Sequence, residues 1–278
     1  MGEGPVVLVF HGAPGGYDQA LMYRDLVGEG FSVLGFSRPG YVRTPLDVGR
    51  SPEAQADAAL ALLDSLGIAD VIALGVSAGG PAAIQFTLRY PSRTRALVLQ
   101  AAVTKSYVPS DLVAENWFGR LFMNDVVQDV VMYAMSELAN KSPSLALREM
   151  LKVESTLSEA EIERTIADVM SRPDDIEQFQ ALIASTVPMR LRKIGLDNDL
   201  AVLASLPDYP LETITTPTLI IHSEFDGDVP VDHATTAGAR IPDAELLIVG
   251  GAGHLMWLGE TGKIVQQATV DFLRTATA

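Results

Sequence analysis

A serine stands at the centre of the sequence Gly-Val-Ser-Ala-Gly at residues 75–79. An apolar run, Val71–Leu74, precedes this motif, and a predicted helix, Gly79–Tyr90, follows it. A strand, a tight turn and a helix with a serine at the apex form a nucleophile elbow, whose strained turn lifts the hydroxyl away from the sheet edge. The pattern predicts that Ser77 is the reacting group, provided that the chain also supplies a base and an acid.

A serine hydroxyl is a poor nucleophile until a base takes its proton. The chain has 4 histidines, and His254 ends a glycine-rich loop behind the strand-like run Leu246–Val249. Such a loop lets a side chain reach over a neighbouring strand, so we interpret His254 as the base. The others are interpreted as a structural loop residue (His11), a strand-end residue (His222) and a residue at an exposed helix start (His233).

An acid is needed to hold the tautomer of the imidazole and to stabilise its charged form. Asp226 follows the apolar run Thr218–Ile221, and Asp228 and Glu224 lie close to it in the sequence. All three carboxylates follow the end of a predicted strand. Asp226 is the preferred acid, Asp228 competes with it, and Glu224 comes third.

A fourth motif lies near the start of the chain, where the apolar strand Val6–Phe10 runs into His-Gly-Ala-Pro-Gly-Gly at residues 11–16. Acyl transfer needs hydrogen-bond donors aimed at the developing oxyanion, and the backbone N–H groups of Ala13 and Ala78 are the candidate pair. The reacting groups come in the order serine, aspartate, histidine, and each motif ends a predicted strand. In these motifs the chain resembles the α/β-hydrolase superfamily over nearly its whole length.

The resemblance implies the α/β-hydrolase fold and selects among the acids. Members of the superfamily place the acid a few residues before a proline, which here is Pro230 and selects Asp226. A variant of the family places the acid after the strand that follows the nucleophile helix. That strand, Ala96–Leu99, leads to Gln-Ala-Ala without a carboxylate, so Asp226 remains the implied acid.

Short apolar runs that do not alternate with polar residues predict parallel strands buried on both faces. Helical patterns separate them; Ser51-Pro52-Glu53 is typical of a helix start and Gly67 of a helix end. This alternation predicts an α/β fold with a doubly wound, mostly parallel sheet. The predicted strands are Val6–Phe10, Phe31–Phe36, Val71–Leu74, Ala96–Leu99, Pro217–His222 and Ala244–Val249, and the last predicted helix is Ile264–Leu273.

The alternation breaks after the fourth predicted strand. Ser158–Glu161 has the spacing of a capping box ahead of an amphipathic helix, and Pro173 begins another helical pattern. A block of helices inserted here resembles the cap of the superfamily, which covers the active site and often gates it. We therefore expect an α/β-hydrolase core at 1–102 and 211–278 and a helical cap at 103–210.

The early cap and the segment after His254 are rich in large apolar side chains. These side chains either pack the cap against the core or line an apolar substrate pocket. We expect both roles among them. They are Trp117, Phe118, Phe122, Met123, Met132, Tyr133 and Met135 in the cap, and Leu255, Met256 and Trp257 after the base.

The composition excludes several classes of function. The 278-residue chain is 48% hydrophobic and carries a net charge of −15, which disfavours nucleic acid and anionic membrane surfaces as partners. Without cysteine, it forms no disulfide and no cysteine-ligated metal site. No apolar run of about 18 residues predicts a membrane-spanning helix. No leader predicts export, so a cytoplasmic location is expected. Neither a phosphate-binding loop nor metal-ligand spacing is found, so no cofactor and no metal are expected.

One departure from the superfamily concerns the start of the chain. Family members usually have an antiparallel pair of strands ahead of the strand that leads into His-Gly, whereas only residues 1–5 precede it here. The chain is then either naturally short or N-terminally shortened, and Phe31–Phe36 becomes an exposed sheet edge. Because exposed edges favour pairing, association of copies through this strand into a homo-oligomer is a further expectation.

The sequence as a whole predicts a serine carboxylesterase that acts on small to medium apolar substrates through an acyl-enzyme. Serine at the elbow argues against the dehalogenases and epoxide hydrolases of this fold, which use aspartate there. Proline iminopeptidase-like amide hydrolysis stays open, because Glu115, Glu137 and Glu154 of the cap are candidates to bind an amino terminus. Carbon–carbon bond hydrolases of ring-cleavage products, lactonases, thioesterases and a small-molecule-sensing binding protein of the same fold also stay open.

Overall fold

The computed structural model describes residues 1–108, 124 and 127–277. In this part of the chain a parallel sheet has the strand order β2-β1-β3-β4-β5-β6. The predicted α/β fold is confirmed, and each predicted apolar run overlaps one strand, with ends that differ by two residues at most. The strands are β1 Val6–Phe10, β2 Ser32–Gly35, β3 Val71–Val76, β4 Thr94–Gln100, β5 Thr218–Ser223 and β6 Glu245–Val249.

Helices connect and cover these strands. The first helix, α1, begins as predicted: the Ser51 hydroxyl accepts a hydrogen bond from the Ala54 N–H at 3.3 Å, and Gly67 ends the helix with a left-handed φ of +67°. No helix among the described residues combines the length and apolar character of a membrane span. The α-helices are α1 Pro52–Leu66, α2 Gly80–Arg89, α3 Gln128–Lys141, α4 Pro143–Glu154, α5 Glu159–Met170, α6 Pro173–Ala184, α7 Lys193–Leu203, α8 Asp232–Arg240 and α9 Gly259–Thr277.

Both faces of the sheet are covered, as its apolar strands require. On one face, Leu63 of α1 and Phe86 of α2 belong to the same core as Leu8 of β1. On the other face, a long 3-10 helix, Tyr17–Val27, and α9 contribute to a second core that contains the opposite side chains of β1 and β3. The carboxyl ends of the strands therefore form one edge at which loop residues meet.

Strand β6 departs from the prediction of strands buried on both faces. Its side chains Leu246 and Ile248 are 41% and 38% exposed, because β6 is an edge strand that, among the described residues, pairs only with β5. Its apolar composition gave no sign of this exposure, since an edge strand and a central strand carry similar residues.

The opposite edge of the sheet is β2, as the sequence predicted. Residues ahead of β1 partly occupy it: the Val33 N–H donates to the Met1 carbonyl at 2.8 Å, and the Met1 amino group donates to the Val33 carbonyl at 3.0 Å. The edge is thus less open than expected. Association of copies through this strand stays a prediction.

Helices α3–α7 occupy the stretch between β4 and β5 where the sequence predicted an inserted cap. The predicted capping box is formed at the start of α5, where Ser158 and Glu161 exchange hydrogen bonds. These helices share a third core that contains Leu147, Phe179 and the core-loop residue Leu255. The limits of a cap domain at 103–210 stay a prediction.

Candidate active site

Ser77 begins the short 3-10 turn Ser77–Gly79 between β3 and α2. Its φ is +48°, a left-handed conformation that residues other than glycine rarely adopt and that stores local strain. Strain at a serine between a strand and a helix is the signature of a nucleophile elbow. The Ser77 side chain lines a cavity at the carboxyl edge of the sheet.

Glycines let the elbow pass close to its neighbours. A β-carbon at Gly79 would overlap the carbonyl oxygen of Phe10, at the end of β1, and a β-carbon at Gly75 would lie 2.8 Å from the side chain of Ala83. Both separations are shorter than van der Waals contact allows. The spacing of glycines around Ser77 therefore has a physical cause, the tight packing of this turn between β1 and α2.

His254 and Asp226 meet beyond the carboxyl ends of β6 and β5. His254 lies in the 3-10 turn Gly253–Leu255, and its Nδ1 is 2.8 Å from Asp226 Oδ2. Gly253 has a φ of +59°, and a β-carbon there would overlap Ser155 just after α4. The glycine-rich loop is thus needed to bring the imidazole under the end of α4 and against Asp226.

Both carboxylate oxygens of Asp226 have polar partners. Oδ1 accepts the backbone N–H groups of Asp228 at 3.0 Å and Val229 at 2.8 Å. His222 Nε2 lies 3.3 Å from Oδ2 and 2.8 Å from the carbonyl oxygen of Val229. Burial raises the pKa of Asp226, but His254 and His222 outweigh it and lower this pKa to about 2. The carboxylate is therefore ionised at neutral pH. His222, which the sequence predicts as a strand-end residue, also stabilises the charge of this carboxylate.

The remaining histidines lie away from this contact. The backbone N–H of Arg38 donates to His11 Nε2 at 3.0 Å, which agrees with a structural role for His11. His233 lies near the start of α8, but the prediction that it is exposed was wrong. It is 3% exposed, and its Nδ1 accepts the Thr104 N–H at 3.1 Å, because this face of α8 packs on the segment after β4.

Ser77 and His254 line one cavity of about 180 Å³, and Ala13 and Ala78 lie in the same wall. The proposed oxyanion donors thus stand beside the serine. Between the two described residues Ser77 and His254 no hydrogen bond is formed. Such bonds are often long before substrate binds and tighten in the reacting complex.

The rest of the cavity wall is mainly apolar and comes from both the core and the helices α3–α7. Some of the predicted pocket residues lie in it and others do not. Met132, Leu255 and Trp257 line the cavity, Met135 and Met256 are buried elsewhere, and Tyr133 is exposed. Trp117, Phe118, Phe122 and Met123 lie outside the described residues.

Asp228, the rival candidate for the acid, faces the other nitrogen of the imidazole. Its Oδ2 lies 3.8 Å from His254 Nε2, and its Oδ1 accepts a hydrogen bond from the Tyr107 hydroxyl at 2.6 Å. The resemblance to the superfamily selected Asp226 by its position ahead of Pro230, with Asp228 as its competitor. The turn after β5 directs Asp226 to Nδ1 and Asp228 to the Nε2 side, inside the cavity.

The two described cap glutamates, Glu154 and Glu137, lie in different surroundings. Glu154, at the end of α4, lines the cavity. Burial and the charge of Asp228 raise the pKa of Glu154 to about 8, although His254 lowers it, so this carboxyl is largely protonated at neutral pH. Glu137 pairs with Lys141 at 3.0 Å on the surface, and Glu115 lies outside the described residues.

The acidic surroundings change the protonation of His254. Burial lowers the pKa of the imidazole, but Asp226, and after it Asp228 and Glu154, raise this pKa to about 10. The ring therefore holds a proton at neutral pH in the free enzyme. Since a general base must be neutral to accept a proton, the reaction has to begin from the minor neutral form.

A buried ion pair joins the loop after β2 to α7. Arg38 binds Asp199 through two hydrogen bonds of 2.6 and 3.0 Å, and the Tyr41 hydroxyl donates to Asp199 at 2.6 Å. The Arg38 Nε also donates to the carbonyl of His11 at 2.8 Å. This network connects the wall of the cavity at Asp199 to the loop that carries Ala13.

Comparison with known proteins agrees with this architecture. The model of the alpha/beta hydrolase fold family matches residues 5–261. YcgS, an uncharacterized hydrolase of Bacillus subtilis (strain 168), is 35% identical over 269 residues, which cover 95% of this chain and 91% of YcgS. A 2-hydroxy-6-oxo-6-phenylhexa-2,4-dienoate hydrolase of Burkholderia cepacia is 27% identical over 284 residues, which cover 98% of this chain and 88% of that protein.

Solved structures give the same result. An alpha/beta hydrolase fold protein from Nakamurella multipartita has a TM-score of 0.89 at 33% identity, covering 100% of this chain and 94% of the other. A thermophilic esterase from Thermogutta terrifontis shares the fold with a TM-score of 0.68 at 22% identity, covering 100% and 92%. The predicted resemblance is confirmed: the chain is a hydrolase that belongs to the α/β-hydrolase family.

Proposed function

We propose that this hydrolase cleaves carboxylic esters through an acyl-enzyme on Ser77, with His254 as the base and Asp226 as the acid that orients it. The observation that carries the proposal is the 2.8 Å contact between His254 Nδ1 and Asp226 Oδ2, beside a cavity that Ser77 also lines. A strained serine, an imidazole and a buried carboxylate at the ends of three strands are the parts that nucleophilic catalysis requires.

In this mechanism the neutral His254 takes the proton of Ser77 while Oγ attacks the carbonyl carbon of the ester. The N–H groups of Ala13 and Ala78 stabilise the oxyanion. The imidazolium then gives its proton to the departing alcohol, and a water activated by His254 hydrolyses the acyl-enzyme. Asp226, with its pKa lowered to about 2 by His254 and His222 against burial, stabilises each imidazolium.

The charge of the cavity favours substrates without a negative charge. Its described lining carries the carboxyl groups of Glu154, Asp199 and Asp228 but no Lys or Arg, and the imidazolium of His254 is already paired with Asp226. A carboxylate placed there would meet the negative charge of Asp228 and lose hydration without gaining an unpaired counter-ion. We therefore expect neutral esters with small to medium apolar groups, which suit the apolar wall and a volume of about 180 Å³.

Carbon–carbon bond cleavage is the second candidate, and similarity to the dienoate hydrolase of Burkholderia cepacia favours it. A dienoate carries a carboxylate, for which the described lining offers no Lys or Arg. This observation ranks ester hydrolysis first. Amide hydrolysis of the proline iminopeptidase kind and binding without turnover are distinguished from it by the same experiment.

The experiment is a substrate panel of p-nitrophenyl esters of increasing acyl length, a lactone, a proline anilide and a ring-cleavage dienoate. The panel is run with the parent, Ser77→Ala and Ser65→Ala; Ser65 is an exposed serine of α1 and serves as the matched control. We expect ester turnover that Ser77→Ala lowers on the order of 10⁴-fold or more. Ser65→Ala should leave it unchanged.

Each alternative gives a distinct result. Turnover by Ser77→Ala at the parental rate would refute the assignment of the nucleophile. Dienoate cleavage without ester cleavage would favour the second candidate, and anilide cleavage would favour an aminopeptidase. A single burst of p-nitrophenol without further turnover would indicate a binding protein.

A further inference from the structure

Three donor atoms from separate parts of the chain converge in the cavity. Glu154 at the end of α4, Asp228 in the loop after β5 and His254 after β6 each offer one ligand atom, and these atoms lie within 4.8 Å of one another. His254 Nε2 and Asp228 Oδ2 are 3.8 Å apart. An imidazole nitrogen with two carboxylate oxygens is a donor set that first-row transition metals and zinc accept.

The donors have no competing partners in the part of the chain that the structure describes. His254 is only 8% exposed, yet its Nε2 faces the cavity and forms no hydrogen bond with a described residue. The carboxylate of Glu154 likewise accepts no hydrogen bond from the described residues. No described Lys or Arg lines the cavity, so no permanently charged side chain there competes with a metal ion for the two carboxyl groups.

The spacing fits a tetrahedral ion after a small movement. Bonds of about 2.0–2.2 Å at tetrahedral angles separate ligand atoms by about 3.4 Å. The 3.8 Å between His254 Nε2 and Asp228 Oδ2 is close to this value. No described residue donates a hydrogen bond to the Glu154 carboxyl group, and rotation of this side chain can bring its oxygen to the ion as the third ligand. Three protein ligands would leave the fourth position open toward the cavity.

Outer partners already orient two of the three ligands. Asp226 lies 2.8 Å from His254 Nδ1, so the neutral ring keeps its proton on Nδ1 and presents the lone pair of Nε2 to an ion. Tyr107 donates to Oδ1 of Asp228 at 2.6 Å and leaves Oδ2 free. Metal-ligating histidines usually donate their other ring N–H to a carboxylate in the same way, and ligating carboxylates are themselves hydrogen-bonded.

We propose that Glu154, Asp228 and His254 form a binding site for zinc or a similar divalent transition-metal ion, which inhibits the hydrolase by occupying the nitrogen that accepts the Ser77 proton. The nitrogen ligand selects against Mg²⁺ and Ca²⁺, which prefer oxygen. The binding of the ion does not depend on which bond the enzyme cleaves.

Isothermal titration calorimetry with zinc chloride tests the site in the parent, Glu154→Gln, Asp228→Asn and Glu159→Gln. Glu159 is an exposed carboxylate of α5 and gives a matched control. We expect one zinc ion per chain in the parent and in Glu159→Gln, and a dissociation constant about tenfold or more higher in the other two variants. Circular dichroism verifies that every variant is folded.

Two results would overturn the site. Either the parent binds no zinc at millimolar concentration, or all variants bind it equally, which would place the ion elsewhere. Zinc should also inhibit ester turnover of the parent, and a chelator should restore it. Calorimetry detects the ion without turnover, so a lack of ester hydrolysis would count against the proposed function, while the binding data would still decide the metal site.

Discussion

Replacing Asp228 by asparagine should make the enzyme faster at neutral pH, although the change removes an active-site carboxylate. Asp228 Oδ2 lies 3.8 Å from His254 Nε2 and stabilises the imidazolium. Burial lowers the pKa of His254, but Asp226, Asp228 and Glu154 raise it to about 10. Only the neutral ring can accept the serine proton, so most of the parent enzyme is in the wrong protonation state at pH 7.

The size of the effect follows from the distance. Two unit charges about 4 Å apart interact by about 1 kcal/mol in a water-like medium and by about 4 kcal/mol at an effective dielectric constant of about 20. At 1.36 kcal/mol per pKa unit, the pKa of His254 should decrease by about 1 to 3 units in Asp228→Asn. The neutral fraction at pH 7 then increases about tenfold to a thousandfold. The plateau at high pH should be lower, because a less basic imidazole is a weaker general base.

The assay is the pH dependence of kcat/KM for a neutral p-nitrophenyl ester, which reports the free enzyme. The parent should gain activity with a slope of one up to a midpoint near pH 10, and Asp228→Asn should show the same slope with a lower midpoint. Asparagine keeps an oxygen for the hydroxyl of Tyr107, so the packing of the site is preserved. Asp47→Asn removes an exposed carboxylate and is the control.

Coincident midpoints for the parent and Asp228→Asn would refute the reasoning, since the charge would then not act on His254. A loss of activity at every pH with an unchanged midpoint would instead assign Asp228 to substrate binding. In either case the protonation of His254 in the free enzyme would have to be set by Asp226 and Glu154.

Three further predictions concern stability. Gly79→Ala should prevent folding or lower the thermal midpoint strongly, because its β-carbon would overlap a backbone carbonyl of β1; Gly28→Ala, whose β-carbon would lie 3.4 Å from the carbonyl oxygen of Asp25, should be tolerated in the same melting assay. Asp199→Ala should cost about 3–5 kcal/mol in urea unfolding, since it leaves Arg38 buried without its partner; a smaller loss would mean that water reaches the guanidinium. Burial lowers the pKa of His233 to about 4, whereas an unfolded histidine binds a proton near pH 6.5. The stability that this neutral ring contributes is present above pH 6.5 and lost as the pH falls toward 4, and His233→Asn should flatten that decrease in thermal midpoint.

The buried strands and the turn at Ser77 could be predicted from the sequence because they depend on local chemistry. The apolar runs that become β1 and β3–β5 are buried on both faces, and a run of consecutive apolar residues predicts this kind of burial. The left-handed φ of Ser77 and the close approach at Gly79 are properties of a short turn, so a short motif reports them. Parallel strands bring their carboxyl ends to one edge, which is why loop residues distant in sequence were expected to meet.

Other features depend on contacts that no local pattern encodes. The exposed side chains of β6 and the burial of His233 follow from which element lies beside them. Asp226 and Asp228 are the same residue type two positions apart, and only the N–H groups that the turn points at Asp226 decide which carboxylate meets Nδ1. Residue type predicts what a side chain can do, and the path of the turn decides which atom it faces.

The sequence by itself determined the parallel sheet, the strained serine and the reach of the glycine loop at His254, because each depends on residues adjacent in the chain. The tertiary structure alone decided the electrostatics of the site. Glu154 comes from the end of α4 and joins Asp228 around an imidazole from a third segment. The pKa of a group depends on every charge within a few ångströms and on how much water reaches it, and both are known only after the chain has folded.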